Sequence, residues 1–159
     1  MKVAVAGVGL RPAHVLGIMR QEMPEIEMVG WFDPQDSYAA QIDPAMPRFD
    51  SVERMLDVTK PDLFFVGSPN TYHLDQIRAG LERGIRIFSE KPVVTTVDET
   101  FALAELLKEY GTDRVMIGLV LRHSQHMIDL RKALSAGVLG RIVSLEANEH
   151  IGPYHGAFF

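Results

Sequence analysis

The sequence predicts an α/β fold built on a doubly wound parallel sheet, with helices on both faces. Two observations indicate it. Short apolar runs alternate with longer amphipathic stretches along most of the chain, and the early apolar runs are continuous, as in strands buried on both faces. With 159 residues, 47% of them hydrophobic, the chain is long and apolar enough for one domain with its own core.

Five apolar runs are predicted to be the strands of this sheet. The first of them ends in glycines, and the third is opened by Pro61 and Asp62. The predicted strands cover residues 2–6, 26–32, 63–66, 85–88 and 115–121. Because a helical stretch follows each strand, we expect the strands to lie parallel to one another.

Amphipathic stretches between and after these runs are predicted helices, and several of them carry recognisable start or stop residues. Pro12 falls in a first turn, Asp50 or Ser51 can cap a helix, and Gly84 and Gly137 end two others. The predicted helices cover residues 12–23, 52–58, 70–83, 96 or 98 to about 111, and 124–136. On the fourth helix we expect an apolar stripe made of Phe101, Leu103, Ala104 and Leu107.

The last stretch differs from the others. Residues 141–149 alternate apolar and polar side chains, which is typical of a half-exposed strand and predicts the start of an antiparallel sheet. We therefore expect a domain boundary near Gly140. The parallel-sheet domain would span residues 1–140, and residues 141–159 would begin a second, truncated α+β domain.

Composition excludes several classes of protein and site. The chain has 16 Lys and Arg against 21 Asp and Glu, so its formal charge of −5 offers no basic surface for nucleic acid or an anionic membrane. No apolar run reaches the roughly 18 residues of a membrane span, and no signal peptide is recognised. The absence of cysteine excludes disulfides, zinc–thiolate sites and a cysteine nucleophile, and we expect a cytoplasmic protein. Because no third ligand accompanies His123 and His126, no metal site is expected.

A glycine-rich turn follows the first strand. Gly7 and Gly9 precede a predicted helix whose N-terminal N–H groups can bind a pyrophosphate, although Pro12 stands where a third glycine is usual. Asp33 ends the next strand, where a carboxylate accepts hydrogen bonds from a ribose diol and repels a 2′-phosphate. The pattern predicts dinucleotide binding, with NAD favoured over NADP; the alternative is an ordinary βα turn.

Two further segments follow predicted strands at the edge where α/β sheets bind ligands. Ser68, Asn70 and His73 follow the third strand, and the alternative interpretation there is a plain helix cap. Glu90-Lys91-Pro92 follows the fourth, where the lysine can polarise a substrate oxygen; the alternative is a solvated ion pair on a loop. Arg122 follows the fifth strand at the same edge.

These motifs, in their order and spacing, resemble the Gfo/Idh/MocA oxidoreductases, the relatives of glucose-fructose oxidoreductase and inositol dehydrogenase. The resemblance covers almost the whole chain, and the Glu-Lys-Pro motif is its most specific element. Residues 137–142 resemble the family's connection into its second domain. The resemblance implies a Rossmann domain that binds NAD, with NADP less favoured, and a full-length homo-oligomer.

The resemblance also implies roles for individual residues. The pyrophosphate would lie against Gly7, Gly9, Leu10 and Arg11, and the adenosine ribose against Asp33. Ser68, Asn70 and His73 would lie along the dinucleotide. Glu90 and Lys91 would reach the nicotinamide end, with Lys91 also contacting substrate as the catalytic residue and Arg122 near the same pocket.

The function implied is hydride transfer between a nicotinamide cofactor and a sugar, cyclitol or related hydroxy compound. The family's second domain normally supplies the substrate pocket and an acid–base pair, so we expect residues 1–159 alone to bind NAD but to turn over poorly. The alternatives are a stand-alone NAD(H)-binding sensor and a different two-domain reductase of the biliverdin-reductase kind. A sensor should have a finished surface at residues 141–159, whereas a truncated enzyme should expose apolar side chains there.

Overall fold

A computed structural model describes residues 1–35, 38–148 and 150. The chain forms two compact units, Met1–Leu119 and the remainder from Val120 onward. The first unit contains a five-stranded sheet in which every neighbouring pair is parallel. Its strands are β1 (Lys2–Ala6), β2 (Glu27–Phe32), β3 (Leu63–Val66), β4 (Arg86–Ser89) and β5 (Val115–Ile117).

The strand order is β2-β1-β3-β4-β5. From β1 the chain moves outward to β2, then crosses back over β1 to form β3, and from there it proceeds in one direction. The winding therefore reverses between β1 and β3, which is the point where sheets of this kind bind ligands.

Helices connect the strands, and local sequence sets several of their ends. The α-helices of the described residues are α1 (Leu10–Glu22), α2 (Ala39–Ile42), α3 (Val52–Thr59), α4 (His73–Leu81), α5 (Val97–Tyr110) and α6 (Gln125–Ser135), and short 3₁₀ turns cover Asn70–Tyr72, Thr112–Arg114 and Val120–His123. Ser51 caps α3 by accepting from the Arg54 N–H, and Thr96 and Glu99 form a reciprocal capping box on α5. Neither α2 nor the 3₁₀ turns were expected from the sequence.

Two hydrophobic clusters, one on each face of the sheet, make up the core. Phe64 belongs to the cluster that contains α3, α4 and α5 residues, and its neighbour Phe65 belongs to the cluster with α1 and α2. Successive residues of a strand point to opposite faces, so a continuous apolar run supplies both clusters. The predicted doubly wound α/β fold is confirmed.

The expected apolar stripe on α5 is partly wrong. Phe101 is 68% exposed and Ala104 is exposed as well, whereas Leu103 and Leu106 are buried. In a helix, residues two apart point about 200° away from each other, so Phe101 cannot share a face with Leu103. The buried stripe instead follows the 3.6-residue period through Leu103, Leu106 and Leu107.

Two predicted strands also need correction. The fifth ends at Ile117 rather than at residue 121, because the chain turns into the 3₁₀ segment Val120–His123. Residues 141–148 form no strand, and residue 149 lies outside the described residues. No described strand pairs with this segment, and Val143 is 83% exposed. The apolar side chains of the alternating pattern therefore have no neighbouring strand and no packed surface among the described residues. The predicted domain boundary near Gly140 stays a prediction.

Candidate functional site

At the carboxyl edge of the sheet, backbone hydrogen bonds hold the loops against one another. The residue after each of four strands donates its N–H to a carbonyl of the neighbouring strand. The bonds run from Gly7 to Phe32, from Gly67 to Ala6, from Glu90 to Val66 and from Gly118 to Ser89, with N···O distances of 2.8 to 2.9 Å. The loops that carry the predicted motifs of this unit therefore start from fixed positions.

The β1–α1 turn needs glycine at its first position. Gly7 has a φ of +77°, and a Cβ there would lie 2.2 Å from the N and Cα atoms of Ser68. Helix α1 then begins at Leu10 with Gly9 as its N-cap. No side chain among the described residues caps it, and its first turn contains no acidic residue. Backbone N–H groups at this end of a 13-residue helix are therefore available for an anion.

Pro12 is accommodated by a glycine on another loop. It is the third residue of α1, where a missing N–H costs no intrahelical bond, since the first such bond runs from Ala13 to Gly9. Pro12 is buried, and a Cβ on Gly67 would lie 2.5 Å from its Cγ. Gly67 thus gives the close packing of helix and strand that a third glycine in the turn would otherwise allow.

Asp33 lies at the end of β2, and the protein itself orients its carboxylate. Oδ2 accepts a hydrogen bond from the Val8 N–H and Oδ1 accepts one from the Gln35 N–H, both at 2.9 Å. A carboxylate oxygen can accept more than one hydrogen bond, so both oxygens can also accept from a diol. The arrangement joins Asp33 to the glycine turn and fits the ribose role that the sequence predicts.

Arg48 is also placed beside Asp33, which the sequence did not indicate. Its Nη2 donates to the Asp33 carbonyl oxygen at 3.0 Å, and its guanidinium lies 5.0 Å from the centre of the Trp31 ring. Residues 47–49 run alongside β2, with hydrogen bonds from Trp31 to Pro47 and from Phe49 to Trp31. This alignment is a long-range pairing, and no local pattern around Arg48 could have revealed it.

His73 connects two of the predicted motifs. The ring is 1% exposed, with Nδ1 2.8 Å from the Pro92 carbonyl oxygen and Nε2 2.8 Å from the Ser68 carbonyl oxygen. Both ring nitrogens are therefore engaged with backbone, and His73 acts as a positioning residue between the two loops. Asn70 is exposed in the 3₁₀ turn before it.

The interpretation of this segment as a plain helix cap is wrong. In the part of the chain that the structure describes, no side chain caps either the 3₁₀ turn or α4. The Ser68 hydroxyl instead donates to Gln76 Oε1 at 2.7 Å.

Glu90 is buried, and its two oxygens have different environments. The residue is 7% exposed, and Oε1 accepts from Arg11 Nε at 3.0 Å, which joins the Glu-Lys-Pro motif to the glycine turn. Within the described part of the chain, Oε2 is buried without a hydrogen-bond partner. This oxygen lies beside Gly118, since a Cβ added to Gly118 would be 3.4 Å from Oε2. The alternative of a solvated Glu–Lys pair is wrong, because the carboxylate is buried and pairs with Arg11.

Lys91 extends from the same loop, and the Lys91–Pro92 peptide bond is cis. The side chain is exposed, and its Nζ makes no hydrogen bond or ion pair with any residue that the structure describes. Arg122 belongs to the second unit, where it is exposed in the 3₁₀ turn Val120–His123. Across residues 1–35, 38–148 and 150, no helix is long and apolar enough to cross a membrane, and no three acidic or histidine side chains are grouped as metal ligands.

Comparisons with known proteins identify the family of the first unit. A family model described as an oxidoreductase family with an NAD-binding Rossmann fold, Gfo/Idh/MocA, matches residues 1–119. The chain is 26% identical over 148 residues to D-xylose 1-dehydrogenase (NADP(+)) 2 of Haloferax volcanii, covering 92% of this chain and 44% of that protein. It is 23% identical over 162 positions to inositol 2-dehydrogenase of Mycolicibacterium gilvum, covering 100% of this chain and 46% of that protein.

Solved structures show the same fold. Scyllo-inositol dehydrogenase from Lactobacillus casei, with bound NAD(H) and scyllo-inositol, matches with a TM-score of 0.78 and 17% identity over 88% of this chain and 42% of that chain. The chain thus spans less than half the length of the relatives named here. Because the family match covers residues 1–119, the chain belongs to the Gfo/Idh/MocA oxidoreductases and carries their NAD-binding Rossmann domain.

Proposed function

We propose that this chain is the cofactor-binding part of an oxidoreductase that transfers hydride between NAD and a sugar, cyclitol or related hydroxy compound. The observation that carries the proposal is the Glu90 carboxylate. One oxygen pairs with Arg11 of the glycine turn, and the other is buried without a partner among the described residues. A buried acceptor left without a donor costs about 1–3 kcal/mol, so this oxygen favours a ligand that brings an N–H. The nicotinamide carboxamide has such a group.

The other residues of the edge suit the remaining parts of a dinucleotide. The N–H groups of Gly9, Leu10 and Arg11 at the uncapped end of α1 would hold the pyrophosphate. Asp33, oriented by Val8 and Gln35, would accept from the ribose hydroxyls. Ser68 and Asn70 would line the path between the two ends. His73 would hold that path in place rather than touch the ligand, since both its ring nitrogens are engaged.

Lys91 is the residue that we propose for catalysis. When bound, the nicotinamide ring supplies the carbon that accepts or donates hydride. The Lys91 ammonium would donate a hydrogen bond to the substrate oxygen, lowering the cost of negative charge that develops there. Its exposed side chain on a loop held by Glu90 and His73 suits this task. Arg122 stays a predicted cofactor-site residue.

Residues 1–159 alone would bind cofactor and turn over poorly. Hydride transfer at a carbinol needs one group to position the substrate and another to take its proton, and Lys91 cannot do both well. The relatives are more than twice as long as the match, so the parent enzyme would have further residues for these tasks. We propose that the parent is a cytoplasmic homo-oligomer, with a domain boundary near Gly140. The exposed apolar side chains of Val143 and Leu145 support a part of a longer enzyme over a self-contained sensor, which should have a finished surface there.

Calorimetric titration of the chain with NAD tests the proposal. We expect saturable binding that Asp33→Ala weakens about tenfold or more, because the ribose loses a charged acceptor. Glu22→Ala, which removes the same charge from an exposed position at the far end of α1, should leave binding unchanged. Absence of NAD binding, or an equal effect of the two variants, would overturn the proposed site.

A further inference from the structure

A cavity of about 890 Å³ lies at the amino edge of the sheet, opposite the edge that carries the proposed cofactor site. Its lining includes the buried apolar residues Leu56, Pro61 and Ile85. Four cationic and two acidic side chains line the same cavity, namely Lys60, Arg83, Arg86, Arg114, Asp57 and Asp62. The whole chain carries a formal charge of −5, so this excess of positive charge is a local feature of the amino-edge cavity.

Both carboxylates of the amino-edge cavity already have partners. Asp57 accepts from Nε and Nη2 of Arg83, at 2.7 and 3.3 Å, and Asp62 accepts from the Lys2 N–H at 2.7 Å. Arg83 also donates through Nη1 to the Ala79 carbonyl oxygen in the last turn of α4. One of the four cations is therefore used by an ion pair and a helix end.

None of the other three cations lies within ion-pair distance of a carboxylate in the described part of the chain. Lys60 and Arg86 make no hydrogen bond there, and Arg114 donates to the Gly84 carbonyl oxygen at 3.3 Å through one of its N–H groups. Lys60 also has a φ of +43°, a backbone conformation that glycine adopts with less strain. Most N–H groups of these three side chains are therefore available to a ligand.

Arg86 and Arg114 enter the sheet side by side. Arg86 precedes Ile87 and Arg114 precedes Val115, and Ile87 and Val115 are paired in register between the parallel strands β4 and β5. Neighbouring strands lie about 4.8 Å apart, and like charges on adjacent strands repel each other. A dianionic group between the two guanidiniums would replace this repulsion by charge-assisted hydrogen bonds to two planar forks.

The competing explanation is that these cations only complement the carbonyl groups at helix C-termini. The last four carbonyl groups of α4, those of residues 78–81, already accept from backbone N–H groups of residues 82–85 and from the Arg83 side chain. Of the described α-helices, none ends at Arg86 or Arg114. Helix capping therefore accounts for Arg83 but not for the adjacent pair of arginines.

We propose that the amino-edge cavity binds a small phosphomonoester, a molecule with one phosphate group and an apolar carbon part. The phosphate would lie between Arg86 and Arg114, since its double charge matches two guanidiniums, which a single carboxylate would not. The carbon part would lie against the apolar lining. This is a second ligand site at the other edge of the sheet, so it does not rest on the proposed cofactor site.

The test is a titration of the 159-residue chain with phenyl phosphate at constant ionic strength, followed by NMR of the backbone amides. We expect saturable shifts at residues 84–86 and 114–115. Arg86→Gln and Arg114→Gln should each weaken binding about tenfold or more, because each removes a charge-assisted contact. Arg54→Gln is the matched control, the same charge change in an exposed ion pair with Asp50, and should change the affinity less than about twofold.

Thermal unfolding separates a ligand site from a purely structural role. Without phenyl phosphate, Arg86→Gln should leave the melting temperature unchanged or raise it, since a like-charge contact is removed. Phenyl phosphate should raise the melting temperature of the unaltered chain and not that of the variant, because a ligand that binds only the folded state stabilises it. A lower melting temperature of Arg86→Gln, together with no effect of phenyl phosphate on the unaltered chain, would overturn the inference.

Two NMR outcomes would overturn it as well. One is the absence of saturable shifts, and the other is a set of shifts confined to residues 7–11, which would place phenyl phosphate at the proposed pyrophosphate site only. If Arg86→Gln does not fold, Arg114→Gln decides by the same criteria. Binding of phenyl phosphate in the cavity without NAD binding would retain this inference and overturn the proposed function, and NAD binding without phenyl phosphate binding would do the reverse.

Discussion

Replacing His73 by alanine tests whether one buried ring holds the two motif loops together. The substitution removes two contacts of 2.8 Å, to Ser68 O and Pro92 O, from a side chain that is 1% exposed. Because both partners are carbonyl oxygens, a neutral ring with one N–H donates a hydrogen bond to only one of them, and that bond contributes about 1 kcal/mol. The lost packing of the ring adds at least about 1 kcal/mol, so the free energy of unfolding should fall by at least about 2 kcal/mol.

Urea unfolding followed by circular dichroism measures this loss. His14→Ala is the matched control, because His14 is exposed on α1 and its removal should change the free energy of unfolding by less than about 0.5 kcal/mol. His73→Gln should recover part of the loss by restoring one donor. NAD affinity should fall with His73→Ala, since the loops bearing Asn70 and Lys91 lose their link. A loss below about 1 kcal/mol, or one equal to that of His14→Ala, would refute the reasoning.

Three further predictions concern the turn, a helix end and acid stability. Gly7→Ala should lower the free energy of unfolding by at least about 3 kcal/mol, because a Cβ would lie 2.2 Å from the Ser68 backbone and φ is +77°. Thermal unfolding measures this loss, and a near-native melting temperature would contradict the turn geometry. Thr96→Ala should cost about 1 kcal/mol in the same assay, because the α5 capping box is lost, whereas an unchanged melting temperature would mean that the box contributes nothing. The Arg83 guanidinium, hydrogen-bonded to Asp57 at 2.7 Å, lowers the pKa of that carboxyl below its ordinary 3.8. Because the folded-state pKa is the lower one, the stabilisation is complete only well above pH 3.8 and is lost as the pH falls through the folded value. Asp57→Asn should therefore flatten the acid limb of a plot of urea midpoint against pH, and an identical limb would argue against the pair.

The parts of the fold that could be predicted depend on local pattern. Continuous apolar runs such as Leu63–Val66 predicted the strands, and glycine or polar residues directly after a strand predicted which loops lie at the carboxyl edge of the sheet. The position of Asp33 at the end of β2 could be predicted in this way, since strand, turn and acid follow one another along the chain. The position of Glu90 after β4 could be predicted for the same reason, whereas its burial could not.

The parts that could not be predicted depend on contacts between distant segments. The pairs Pro12 with Gly67, Arg11 with Glu90 and Arg48 with Asp33 each join separate loops, and nothing in either partner's own neighbourhood indicates the other. The error at Phe101 had a different origin, because the residue was grouped by hydrophobicity rather than by helical phase. Residues 141–148 show the converse, since an alternating pattern forms a strand only where another strand pairs with it.

The contact between Pro12 and Gly67 restricts how this turn can change over evolutionary time. A side chain at position 67 would overlap the proline ring, so any larger residue there requires that Pro12 be replaced first by something smaller. If position 67 were enlarged while Pro12 is still present, the helix and the strand could not pack at their present distance. The two positions are therefore epistatic: while proline occupies position 12, only glycine fits at position 67, on a loop more than fifty residues away along the chain.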